Sequence, residues 1–193
     1  GTYVGSHQGG YSAFSFDITP YISFGAANQL TVKAEDSMDA TQPRGKQRWV
    51  EHNFECFYVQ TTGIWQSVWL EVVEPVHVDS VKITPNMDTR SVRFEYQVKG
   101  DFTTKETRLE TIISLKGKQV KKVSLTIDRP WLQLDVDLVH EANGPWKHCL
   151  WSPAHPNLYD VEFILHQGEE KLDHVYSYFG MRKISIEKGR VLL

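Results

Sequence analysis

Three cations, a carboxamide and an indole fall within seven consecutive residues, Pro43-Arg44-Gly45-Lys46-Gln47-Arg48-Trp49. Arg and Lys present N–H donors that suit sugar hydroxyls or carboxylates, and Trp offers a flat apolar face for a pyranose ring. Two carboxylates, Asp36 and Asp39, lie just upstream. All sit in the stretch from Asp36 to Trp65, which is too long and too polar for a hairpin turn; loops of this length are usually functional or mobile. The competing reading is structural. An Arg44–Asp36 or Arg44–Asp39 ion pair would pin the loop and Trp49 would plug it, since exposed charge runs are usually just solvated.

A second set of residues invites metal chemistry. His52-x-x-x-Cys56 and the His148-Cys149 pair, with His140 and His155 nearby, contain zinc-ligand types. No C-x-x-C or H-E-x-x-H spacing supports such a site, so neither a metal nor a cofactor is expected. Two cysteines are too sparse for a disulfide framework and read as buried thiols of a reducing compartment, with a single Cys56–Cys149 bridge left open.

The elements that must position these groups are strands. The 193 residues are 40% hydrophobic and 23% charged, with a formal net charge of −3, an ordinary globular composition. That balance gives no electrostatic footprint for nucleic acid. No apolar run approaches the roughly 20 residues of a membrane helix, and the first residues lack a signal-peptide pattern, so a cytoplasmic location is expected. A (β/α)8 catalytic barrel needs about 250 residues and does not fit. Period-two alternation dominates, and no helical stripe of useful length occurs. Phe14, Phe16 and Ile18 share one face, as do Leu30, Val32 and Ala34, then Val68, Leu70 and Val72. From Val76 the alternation is denser: Val81 and Ile83; Val92 to Val98; Leu109 to Leu115; Val123 to Ile127; Leu132 to Leu138; Leu158 to Leu165; Leu172 to Phe179. Lys116-Gly117-Lys118 and Gln167-Gly168-Glu169-Glu170 read as hairpin connections.

The predicted fold class is all-β: an immunoglobulin-like β-sandwich over 75–179, preceded over 1–74 by part of a jelly-roll β-sandwich. Glu74-Pro75 is the expected junction, because proline is disfavoured inside a sheet. Phe14, Phe16, Trp69 and Leu70 are expected in the core, Asp17 at a turn, and Trp151 and Tyr159 as plugs at the sandwich end.

Five signatures, in order, resemble family 2 glycoside hydrolases, the β-galactosidases, β-glucuronidases and β-mannosidases. They are Gly5-Ser6-His7-Gln8-Gly9-Gly10-Tyr11 with Phe14-x-Phe16-Asp17-Ile18-Thr19; Pro43-Arg44-Gly45-Lys46-Gln47; Thr62-Gly63-Ile64-Trp65-Gln66-x-Val68-Trp69-Leu70-Glu71; Leu150-Trp151-Ser152-Pro153-x-x-Pro156-Asn157-Leu158-Tyr159; and Phe179-Gly180-Met181-Arg182-Lys183-Ile184. The resemblance implies that 1–74 is the C-terminal half of a sugar-binding jelly roll, 75–179 the immunoglobulin-like domain and 180–193 the start of a linker into a barrel that these residues do not include. It also implies that both catalytic carboxylates belong to that barrel, so no catalytic residue is expected here and the fragment alone should be inert. In several family members an acidic residue of the loop after the 28–36 strand binds a sugar hydroxyl; Asp36 and Asp39 are the two positions that match, with Arg44, Lys46 and Gln47 as weaker candidates for the same rim. Expected partners are a carbohydrate, most of all a β-galactoside, the chain's own barrel and a second copy of the protein. A free-standing carbohydrate-binding or adhesion module is the alternative. Half a jelly roll would leave unpaired edges, so 1–74 should be poorly ordered or stabilised by another copy, while 76–179 folds alone.

Overall fold

Alternation turns into paired strands between residues 77 and 179. In the computed structural model, which describes residues 1–138 and 149–193, these are β1 (His77–Asn86), β2 (Ser91–Lys99), β3 (Thr107–Leu115), β4 (Lys118–Thr126), β5 (Trp131–Asp137), β6 (Tyr159–Gln167) and β7 (Glu170–Phe179). All pair antiparallel, in a three-stranded sheet of order β1-β2-β5 and a four-stranded sheet of order β4-β3-β6-β7. The chain divides by its contacts into Gly1–Trp69 and Leu70–Leu193, upstream of the Glu74-Pro75 junction read from the sequence.

The inward faces meet as a sandwich core. Val92, Phe94, Tyr96 and Val98 of β2 are fully buried, opposite Ile113 of β3 and Phe163 and Leu165 of β6. Phe163 stands edge-on to both Phe94 and Tyr96, with centroids 5.7 and 5.8 Å apart, a favoured aromatic arrangement. Tyr96 carries a hydroxyl into this core. It is held 2.9 Å from Thr111 Oγ1 on the other sheet, and burial pushes its ionisation far above the ordinary tyrosine range. Tyr159 is buried as expected and stacks on Phe179 at 5.0 Å, whereas Trp151 is only half-buried and lies under the Arg182 guanidinium.

Irregularities follow sequence cues. From Val76 into β1 the apolar positions switch from even numbers (Val76, Val78) to odd (Val81, Ile83), and the register shift falls between them, at Val78/Ser80. A bulge is what lets both sets face one core. There the Val78 amide donates to Asp173 Oδ2 of β7, 2.9 Å away, tying one sheet to the other. The β3–β4 turn holds both Lys116 and Gly117 at positive φ, 51° and 74°, as a type I′ hairpin requires. Gly100 closes the β2 end at φ 117°, where an added Cβ would lie 2.6 Å from the Pro75 carbonyl oxygen. Beyond β7, a small hairpin pairs β8 (Ser185–Glu187) with β9 (Arg190–Leu192).

Residues 1–69 behave differently. Their regular structure is one 3₁₀ turn, Thr19–Tyr21, and an isolated parallel bridge between Gln47 and Tyr58. The strands expected at 14–18, 28–36 and 68–72 form no ladder, and none of residues 1–69 is buried. Phe14, Phe16, Trp69 and Leu70, expected in the core, are 50%, 41%, 67% and 71% exposed. The reason is geometric: an alternating segment buries its apolar face only when strands pair beside it and a second layer covers it. Neither is present among the described residues for these segments. Asp17 does hold a turn, accepting the Thr19 amide at 2.9 Å.

Candidate functional site

The long polar loop folds by using its own side chains. The chain doubles back so that Tyr58 donates its amide to the Lys46 carbonyl at 2.8 Å and accepts the Arg48 amide at 2.7 Å. Gln47, bracketed by this bridge, accepts the Thr61 amide on Oε1 at 2.8 Å. The intervening bend packs Trp49 against Phe54 and Phe57, with centroids 5.0 and 4.5 Å away. Trp49 thus packs against two rings but remains 39% exposed, so the expected plug is only a partial cover.

Both candidate aspartates are exposed and each is held by a different donor set. Asp36 takes Gln42 Nε2 on Oδ1 at 2.8 Å and Gln60 Nε2 on Oδ2 at 3.3 Å, while both amides also reach the Ser37 carbonyl. Asp39 Oδ1 accepts the backbone amide and the hydroxyl of Thr41, each at 2.9 Å. Those two bonds, the amide first, hold the Asp39 carboxyl below its ordinary range, with a smaller contribution from the Arg44 charge. Both carboxylates are held in place by these donors, each with lone pairs to spare for hydroxyl donors.

The ion pairs considered from the sequence do not form. Arg44 donates Nη1 to the Arg48 carbonyl at 3.5 Å and makes neither an Asp36 nor an Asp39 salt bridge, because those carboxylates are turned to Gln42, Gln60 and Thr41. Its Nε and Nη2, with Nε of Arg48, are closed off from solvent and have no hydrogen-bond partner among the described residues. Lys46 is exposed. The structure thus gathers Asp36, Asp39, Arg44 and Gln47 into one loop framework and leaves Lys46 at its surface. It adds Thr41, Gln42 and Gln60, which the sequence reading did not select, and Arg48, which that reading named only within the cationic run. Thr41 stands two residues after Asp39, a spacing that signals a side-chain-capped turn. Nothing local points to Gln60, 24 positions from Asp36.

For metals, no group of three or more His, Cys, Asp or Glu converges among the described residues. Cys56 is exposed and Cys149 buried, and both are free thiols. His140 and His148 lie outside the described residues.

Two antiparallel sheets around an aromatic core, joined in sequence to a polar loop that holds its own carboxylates, define an all-β sandwich protein. Residues 76–182, more than half of the chain, match the family model described as "Glycosyl hydrolases family 2", and the chain belongs to that family. It is 28% identical over 188 residues to a β-galactosidase of Thermoanaerobacter pseudethanolicus, covering 95% of this chain and 24% of the relative. A putative β-glucuronidase of Formosa agariphila is 27% identical, covering 96% of this chain and 16% of that protein. Among solved structures, a glycosyl hydrolase family 2 member from Bacteroides cellulosilyticus matches with a TM-score of 0.66 at 25% identity, over 95% of this chain and 24% of the other. A putative β-galactosidase from Bacteroides fragilis has the same fold, with a TM-score of 0.67 at 24% identity, over 95% of this chain and 28% of the other. The chain spans about a quarter or less of the length of these curated relatives.

Proposed function

We propose that the chain is the non-catalytic accessory region of a larger retaining β-glycosidase, in the first place a β-galactosidase, that hydrolyses terminal β-glycosidic bonds. The observation that carries this reading is the family match over the β-sandwich, 76–182, in a chain that amounts to so small a share of its relatives. Retaining hydrolysis needs two carboxyl groups about 5–5.5 Å apart on either side of the anomeric carbon. In this reading both come from a barrel domain elsewhere in the polypeptide, and the 193 residues contribute a wall of the sugar site and a surface between subunits.

The loop supplies the sugar contacts. A carboxylate already fixed by Gln42 and Gln60, or by Thr41, does not have to be ordered when the sugar arrives, so its hydrogen bonds to hydroxyls retain more of their strength. Each such charge-assisted bond is worth roughly 1.5–3 kcal/mol. One of Asp36 and Asp39 orients the non-reducing sugar, with Arg44, Lys46 and Gln47 along the same rim.

The test is alanine substitution of Asp36 and of Asp39 in the full-length enzyme, assayed on a chromogenic β-galactoside. The expected result is a rise in KM, or a fall in kcat/KM, of at least tenfold for one of them; unchanged kcat and KM in both would remove the loop from the sugar site. Hydrolysis of the same substrate by the purified 193-residue chain, free of contaminating enzyme, would overturn the accessory reading itself.

A further inference from the structure

The two sheets of the sandwich end in four edge strands, and three of these are blunted along their length. β1 carries Pro85 and the register shift at Val78/Ser80. β4 carries Lys118, Lys121 and Lys122, opposite a register shift at Ile113/Ser114. β5 has only seven residues, with Asp135 and Asp137 among them. Proline, bulges, charge and short length are the devices that stop an edge from pairing with another chain. The fourth edge, β7, has such devices at its start alone. There the register shifts at Leu165/His166, and Asp173 occupies the margin, taking the Val78 amide on Oδ2 at 2.9 Å and the His174 amide on Oδ1 at 2.8 Å. Residues 175–179 contain no charged side chain, no proline and no register shift, and no strand pairs with their outer side among the described residues.

That open length presents two large rings to solvent. Tyr176 and Tyr178, two residues apart and so on one face of the strand, are 69% and 66% exposed. Tyr176 is already held in place. Its ring lies 4.3 Å from that of His174, its hydroxyl is 3.2 Å from His174 Nδ1, and His174 Nε2 is 2.9 Å from Glu162 Oε2. A ring ordered in advance loses little freedom when a partner covers it. The charges gather at the two ends. Glu169, Glu170 and Asp173, against Lys171, precede the open length; Arg182, lying over the Trp151 ring, and Lys183, which also reaches Asp88, follow it. A strand with an acidic start and a basic finish is complementary to a copy of itself laid antiparallel, and repels one laid parallel.

We infer that the outer edge of β7 over residues 175–179 is where two copies of this chain join, by antiparallel pairing about a two-fold axis at Tyr176 that makes one sheet of the two four-stranded ones. In that register Tyr176 faces Tyr176 of the second copy, Tyr178 faces His174, and Glu170 comes alongside Arg182. Aromatic pairs directly opposite one another are among the favourable cross-strand contacts. The pairing gives a location to the surface between subunits proposed above, and rests on that reading for the presence of a second subunit.

The experiment is sedimentation velocity of the full-length enzyme as wild type, Tyr176→Lys, Tyr176→Glu and an equal mixture of the two variants. A residue on the two-fold axis meets itself, so each variant alone sets like charges face to face and should weaken association at least tenfold. The mixture sets Lys against Glu and should restore it, which damage to the fold would not do. A second variant covers the case in which a charge at 176 prevents folding. Tyr176→Cys, in a Cys56→Ser background that removes the exposed native thiol, should give a disulfide-linked dimer on mild oxidation, because directly opposed strand residues lie within bridging distance. Association unchanged in both charge variants, weakened association that mixing does not restore, or no linked dimer from Tyr176→Cys would overturn the β7 assignment and leave the intersubunit role standing. A wild-type enzyme that sediments as a monomer would overturn both.

Discussion

Phe14-Ser15-Phe16-Asp17-Ile18 and Val92-Arg93-Phe94-Glu95-Tyr96 have the same alternation, apolar then polar, with aromatic rings on one face. In the second, all three apolar side chains are fully buried; in the first, Phe14 stays half exposed. The difference lies outside either segment. Residues 91–99 have β1 on one side, β5 on the other and the Phe163 face above, whereas residues 14–18 have no strand beside them among the described residues. Alternation specifies which face of a strand is apolar. It does not specify what covers it, and the free energy of burial is released only by the cover.

The widest separation between the two regions is expected from ring deletion. Phe163→Ala removes a fully buried ring that touches two others, and should cost about 3–5 kcal/mol in thermal or denaturant unfolding of the chain. Phe14→Ala removes a ring that stacks on His7 and tilts against Phe16 at the surface, and should change stability by less than about 0.5 kcal/mol. Equal effects would show that the N-terminal face is covered after all. A finer test lies within the sandwich. Tyr96→Phe leaves Thr111 Oγ1 without its inter-sheet partner while keeping the ring, and should cost about 1–1.5 kcal/mol in the same measurement.

The smallest effect belongs to the loop. Because the folded Asp39 carboxyl titrates below its usual value, its turn contributes stability that is complete above pH about 4 and is lost as pH falls through the folded value. NMR titration of Asp39 should show this depression. Thr41→Ala should move the carboxyl only part of the way back, since the backbone amide, the stronger cause, stays in place.

Much of the sandwich was legible because each strand carries its own period. The runs at Val92, Leu109, Val123, Leu132, Leu158 and Leu172 became β2 to β7. The strand order β4-β3-β6-β7 was not legible: pairing β3 with β6 joins Thr107 to Gln167 across the chain, and neither residue's type announces its partner. The site divides in the same way. Asp39–Thr41 is local and readable. The grip of Gln60 on Asp36 needs the chain to turn back through the Gln47–Tyr58 bridge, and the idle edge of Arg44 appears only once neighbouring carboxylates have chosen other donors.

The carboxylate of Asp173 on the Val78 amide reaches beyond local geometry. An outer strand of a sheet advertises its free amides to any stray polypeptide, and β1 has such a margin. At the bulge that margin is already claimed by a negative charge from within the same molecule. A foreign strand trying to zip onto β1 would have to displace that carboxylate and then find the pleat out of step, so this edge is guarded against self-templated association at its bulge.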